Sequence, residues 1–483
     1  MSAEAETNDV EPGAAPESML IISESSENLQ NMSSSLDEIK KMQPDNQDEN
    51  INNVDPDDYD DISCNTIATG DDYIKDNDWL GKSKHIFVLS SAGKPIYSRY
   101  GNEDKFASYF GVMQALVSFV QADNDSLKSI HVGNTKFVFL FKEPLILVSI
   151  SKTGESVSQL TAQLNYVFNE IVSMLTLSRL SQIYQQRRNY DLRRLLAGVE
   201  RLIDSLLDFS DSEPSFTLGA VKCLPLAASI RDTISSAIVQ SCSKIKDLVF
   251  AILLANNNLI TLVRMKKYYI HPADLHLIFN LVRASESLKS AESWTPLCLP
   301  RFDSGGFLYG HVSYLSEDCQ ACLLLLTVDR EAFFTLSEAK QKIVEKLRRA
   351  NCLEGINESL NVREETCAET GFPELRHYLY KCKSTAQFYQ PGVGAPYMSD
   401  YGRLLTLYRR AHQRLHSTSR PLKLLYEKSS DEVLLAWDTK GFELYVVLEP
   451  STDKSATIAL IGKLLTWIKK QEDRLFHLNA PTF

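Results

Sequence analysis

The first thing this 483-residue chain lacks is a long apolar run. Its longest, Leu248–Ala255 and Ala321–Leu326, have the length of a strand, whereas a membrane-spanning helix needs about 20 residues. The opening 18 residues have neither a basic start nor an apolar core, so no secretory leader is expected. Phosphate-binding loops are missing too: Gly392-Val-Gly394 follows Pro391 and lacks the Lys-Ser/Thr that such a site needs. No Gly-x-Ser-x-Gly elbow occurs, and no carboxylate pair stands apart from ordinary helix surface. The nine cysteines are scattered and mostly sit in apolar stretches, as free thiols do in a reducing compartment. Cys319 and Cys322 have the spacing of half a zinc knuckle but no second pair, and on a strand they fall on opposite faces. His271 and His276 are five apart, off a single helical face, and His271 before Pro272 reads as a helix cap. No catalytic residue, metal site or cofactor is therefore expected.

Basic charge is nearly absent from one region. Residues 1–80 carry 21 Asp or Glu against Lys40, Lys41 and Lys75, a net of −18, which leaves +7 for residues 81–483. Rich in Ser, Asn, Asp and Glu and poor in aromatics, this segment reads as a disordered acidic tail, 1–78, with a regulatory role. Met19–Ile22 and the helically spaced Leu36, Ile39 and Met42 are its only apolar islands.

What is present is a pattern met three times: three short apolar strands and then a long amphipathic helix. The strands fall at 128–133, 135–142 and 145–150, then 294–300, 307–315 and 320–328, then 421–428, 431–438 and 441–448. The helices fall at 156–186, 335–350 and 454–473. Another helical stretch precedes each triplet (103–121, 272–285, 398–416), with a strand pair or strand before it. Each set makes one α+β unit, and the units share no sequence repeat. The boundaries drawn are 79–188, 189–352 and 375–483, with a polar linker at 353–374.

One stretch is recognisable as it stands: Trp79-Leu-Gly-Lys-Ser-Lys-His-Ile-Phe-Val-Leu-Ser-Ser-Ala-Gly-Lys-Pro-Ile-Tyr-Ser-Arg-Tyr-Gly. With Asn189-Tyr-Asp-Leu-Arg-Arg-Leu-Leu-Ala-Gly-Val-Glu and Lys267-Tyr-Tyr-Ile-His-Pro-Ala-Asp-Leu-His-Leu-Ile-Phe-Asn-Leu, it resembles the SAND family of monensin-sensitivity vacuolar-fusion proteins. The resemblance covers about 79–483. It implies three longin-type domains, each a five-stranded antiparallel sheet flanked by helices. It implies a heterodimer with a second trilongin protein, of the calcium–caffeine–zinc-sensitivity family. Together the two would exchange nucleotide on the late-endosomal Rab GTPase (Rab-seven type) in endosome maturation, vesicle fusion and autophagy. The early-endosomal Rab and anionic endosomal membrane bearing phosphatidylinositol 3-phosphate would recruit the pair, and a further regulatory subunit is left open. The chain would then be cytoplasmic, peripheral on early and late endosomes. The alternative is a non-catalytic longin scaffold or tether. An exchange factor makes no covalent bond, which agrees with the missing catalytic motifs.

Two kinds of surface are expected to carry this. Trp79, Leu80, Ile96, Tyr97, Tyr100 and Tyr109 crowd the first hairpin and the helix after it, and are the candidate Rab-binding residues. Three basic clusters are the candidates for lipid or an acidic partner: Arg187, Arg188, Arg193 and Arg194; Arg264, Lys266 and Lys267; Arg403, Arg409, Arg410 and Arg414. The last belongs to the stretch 376–428, where ten Lys or Arg stand against Asp400 and Glu427 alone. Nucleic acid is not expected, because no groove-reading motif or base-stacking pattern accompanies the charge.

Overall fold

The computed structural model describes residues 77–483 apart from 102–105, 188–189, 290 and 318. The acidic tail therefore lies almost wholly outside the described residues.

The first unit opens with the short helix Asn77–Gly81 and the hairpin β1 (Lys84–Ser90) and β2 (Pro95–Ser98). Helix α1 (Ala107–Ala122) follows, then β3 (Ser129–Val132), β4 (Thr135–Lys142) and β5 (Leu145–Ser151). The strands form one antiparallel sheet in the order β2-β1-β5-β4-β3. Central β1 is buried at every residue. The expected helix at 156–186 is two helices, α2 (Val157–Leu175) and α3 (Leu177–Gln186). Thr176 separates them with φ of 61°, its side chain accepting from the backbone of Arg179 to cap the second. Helix α4 (Val199–Ser212) closes the unit, because Val199, Ile203 and Leu207 join the sheet and α2 in one core. The boundary drawn at 188 thus falls inside a shared core.

The second unit holds α5 (Ala228–Cys242), β7 (Leu248–Ala255), β8 (Asn258–Arg264), α6 (Pro272–Ala284), β9 (Ser293–Leu299), β10 (Asp303–Ser316) and β11 (Cys319–Thr327). After them come α7 (Phe333–Arg349) and α8 (Cys352–Asn361). The strand order β8-β7-β11-β10-β9 repeats that of the first sheet. The His271 side chain caps α6 as expected, accepting from Ala273 N at 3.0 Å ahead of Pro272. Cys319 and Cys322 fall into different cores, one on each face of the sheet. The polar linker expected from 353 begins instead as α8, whose Cys352 and Ile356 pack into the second core.

The third unit contains β12 (Leu375–Cys382), β13 (Gln387–Tyr389), α9 (Tyr401–Leu415), β14 (Leu424–Lys428), β15 (Val433–Asp438), β16 (Phe442–Leu448) and α10 (Lys454–Leu475). Its sheet has a sixth strand, because β6 (Val221–Lys222) from the second segment pairs in parallel with β13. The chain then bridges to β8, with Leu224 N donating to Leu259 O at 2.9 Å. From the other end, the C-terminal residues return to β8: Arg264 N donates to Pro481 O and Phe483 N to Arg264 O.

Arg231 locks this junction. Its side chain is 3% exposed and donates to three carbonyls, Ile260 O at 3.1 Å, Leu224 O at 2.9 Å and Arg474 O at 3.0 Å. Arg231→Ala would take this donor from the Leu224 and Ile260 carbonyls, while Arg474 O keeps Leu226 N at 3.0 Å, and is expected to cost about 3 kcal/mol. An unfolding midpoint within about one degree of the parent's would overturn that reading.

At the junction of the first two units, Glu170 on α2 faces Asn280 on α6 at 3.2 Å and is 2% exposed. Burial pushes its carboxyl up to about 8, against a partial lowering by the Asn280 hydrogen bond. The folded chain thus holds this proton to about pH 8, whereas the unfolded chain loses it near its ordinary value of 4.5. The stability present below that lower value is lost as pH rises towards 8. Glu170→Gln removes the titration and is expected to stabilise the protein by up to a few kcal/mol at pH 8 and hardly at all at pH 4. Paired urea titrations at the two pH values measure this, and an equal effect at both rejects it.

Candidate functional site

The six candidate residues of the first unit divide between two sides of its sheet. Ile96 and Tyr97 are 3% and 2% exposed and lie in the core with α2 and α4, so neither can meet a partner. Tyr97 donates its hydroxyl to Asp204 on that side. This corrects their place among the binding residues: strand β2 is covered, not open.

Trp79, Tyr100 and Tyr109 gather on the other side around Phe106. The Trp79 ring stacks 5.2 Å from Phe106 and its Nε1 donates to Tyr100 O at 3.3 Å, while Tyr109 meets Phe106 edge-on at 6.4 Å. Gly101 makes the approach possible: its φ is +88°, and a Cβ there would stand 2.5 Å from the Phe106 ring. Leu80 and Tyr109 stay 46% and 44% exposed at the rim of this cluster.

Helix α1 carries a second apolar stripe beyond the one it buries. Phe110, Met113 and Val117 face the sheet, while Leu116 stays outside. Tyr109, Val112, Leu116 and Phe119 are spaced by three, four and three residues and share the outer face. Val112 is 59% and Phe119 75% exposed. Sequence reading missed Val112 and Phe119, although a helix apolar on two faces was the available signal. The outermost strand of the sheet, β3, lies at its unpaired edge and exposes Val132.

The basic clusters fare differently. Arg403 pairs with Asp431 at 3.0 Å and Glu432 at 2.6 Å. Arg410 and Arg414 both pair with Glu427. Arg409 is no surface charge: it donates to Ser210 O at 3.0 Å and Asp211 O at 2.8 Å, tying α9 to the end of α4. The open basic face expected on α9 is therefore corrected, because the acids of the following hairpin fold over it. Arg193 pairs with its neighbour Asp191, while Arg187 and Arg194 are exposed and Arg188 lies outside the described residues. Arg264 is half-buried and donates to Lys266 O and Tyr268 O, shaping a turn that projects Lys266, Lys267 and Tyr269 into solvent. No carboxylate pairs with Lys266 or Lys267 among the described residues; Lys267 instead lies over the Tyr268 ring at 4.7 Å.

Three copies of one five-stranded unit, with apolar and basic faces turned outward, define a three-longin protein. Residues 84–206, 246–345 and 374–472 match, in turn, the first, second and third longin domain of FUZ, MON1 and HPS1. The chain is 47% identical over 407 residues to the vacuolar fusion protein MON1 homolog A of Gallus gallus, covering 84% of this chain and 74% of that one. It is 46% identical over 407 residues to Protein SAND of Takifugu rubripes, covering 84% and 78%. Against the MON1 homolog B of Mus musculus it is 40% identical over 430 residues, covering 84% and 77%. The chain belongs to the SAND family of trilongin proteins, alongside the MON1 homologues.

Burial separates core from contact residues by experiment. Ile96→Asp puts a charge into the first core and is expected to unfold that unit. Phe119→Asp should leave the unfolding free energy within about 0.5 kcal/mol of the parent. Matching losses in circular dichroism melts would show that the outer stripe is structural.

Proposed function

We propose that this chain acts in vacuolar fusion as one subunit of a heterodimeric guanine nucleotide exchange factor for the late-endosomal Rab (Rab-seven type). The observation that carries this reading is the unpartnered stripe Tyr109, Val112, Leu116 and Phe119 on α1. The names of the relatives support the fusion role. An exchange factor works by surface alone: it binds the nucleotide-free GTPase more tightly than the loaded one, and that difference loosens the nucleotide.

In this reading the second trilongin protein takes Val112, Leu116 and Phe119 together with the free edge of β3. The GTPase takes the neighbouring rim of Leu80, Trp79, Tyr100 and Tyr109. Phe119→Asp is then expected to dissociate the pair. Tyr109→Ala is expected to leave the pair intact and slow GDP release at least tenfold. Release from the Rab is followed with a fluorescent GDP analogue, and pairing by size exclusion. Unchanged release with both variants would reject the reading. A pair that forms but never speeds release would favour the scaffold alternative.

Recruitment by the early-endosomal Rab, endosome maturation and autophagy belong to the same proposal. For the anionic membrane, Lys266 and Lys267 with exposed Tyr269 offer cations that no acid among the described residues neutralises. A cation near an anionic leaflet contributes about 1 kcal/mol, so Lys266→Glu with Lys267→Glu should weaken liposome binding about thirtyfold or more. Normal sedimentation with phosphatidylinositol 3-phosphate liposomes would reject this patch.

A further inference from the structure

His412 and His416 are one helical turn apart on α9 and share a face, with ring centroids 4.4 Å apart. Glu443, 2% exposed on β16, closes the third side, its Oε2 lying 3.2 Å from His416 Nε2. One ligand atom from each residue can be chosen so that all lie within 4.8 Å of one another. We propose that these three residues form a zinc-class divalent metal site in the third longin unit.

Two features favour it beyond spacing. Neither ring nitrogen of His412 has a hydrogen-bond partner among the described residues, although the ring is half-buried against Tyr445. The carboxylate is already oriented, with Lys381 Nζ on Oε1 at 2.9 Å and the Tyr445 hydroxyl donating to Oε2 at 3.0 Å. Outer partners of this kind fix the geometry of ligating carboxylates.

Two imidazoles and one carboxylate leave a coordination position open for water, as in three-ligand zinc sites. Charge sets a limit on affinity. Lys381 pairs with Glu443, Lys383 lies 3.9 Å from the same carboxylate, and Lys383 and Lys423 share Asp438. The cations outnumber the acids, so binding is weaker than in a closed four-ligand structural site. On binding, His416 Nε2 would exchange its contact with Glu443 for the metal. The ion would staple α9 to the sheet, and α9 is the helix whose Arg409 reaches the first unit.

The test uses the full chain, stripped with chelator and titrated with cobalt(II) and then zinc(II). The wild type is expected to take up one equivalent with the visible absorption of low-coordinate cobalt, which zinc displaces. His416→Ala, at an exposed position, should keep the metal-free unfolding midpoint while losing the band and weakening uptake at least tenfold. His412→Gln should do the same. No saturable band in the wild type overturns the proposal, as does a band that survives in both variants.

Discussion

Unpaired sheet edges are the constraint around which the second and third units are organised. A strand at the edge of a sheet presents donors and acceptors that must find a partner or water. Here β8 and β13 are edges, and one stretch of chain serves both. Residues 221–222 complete β13, residues 223–224 pass to β8, and the C-terminal residues 481–483 pair with β8 at Arg264. His477 and Gln387 fasten the crossing reciprocally, at 2.8 Å and 2.9 Å, and Arg231 fills the carbonyls left between them. Neither sheet is complete without segments from outside its own repeat. For that reason the second and third units form one hydrogen-bonded body and not two beads on a string.

The first unit is built to the same strand order, with β3 an end strand like β9 and β14. Its β2, the counterpart of β8 and β13, takes no added strand among the described residues, and the unit keeps one face of α1 uncovered. Its other face is closed by α2, α3 and α4, and α4 and α6 carry that packing into the second unit. The three units are therefore alike in fold and unlike in what they leave open. Apolar surface stays open where the repeat has no neighbour to cover it.

Charge follows the same logic. A run of ten basic residues against two acids promises a basic face, but acids from the next hairpin, Asp431, Glu432 and Asp438, are folded against it. Lys266 and Lys267 look modest in sequence, yet the turn that Arg264 organises holds them clear of any carboxylate among the described residues. Potential at a surface depends on neighbours in space, and only those decide which cations remain available.

Periodicity placed the three strand triplets and the helices before and after them, because α9 shows its buried side in the spacing of its apolar residues and β7 is one apolar run, but it did not place α5, α8, β6 or β13. The cap at His271 and the opposed faces of Cys319 and Cys322 were equally legible, since both depend on residues a few positions apart. Thr176 was not, because a single positive φ splits a pattern that is periodic on both sides. Missed as well were the pairing of His412 and His416, which an i,i+4 search would have found, and the approach of Glu443, which it would not. Ile96 and Tyr97 read as surface because a short hairpin strand has too few residues to show which faces are covered. The sequence by itself determined the elements, their order and the fold of each unit, as these rest on local periodicity. Tertiary structure alone decided which apolar face stayed open, which arginines were neutralised and how the edges were closed, because each is set by residues from another part of the chain.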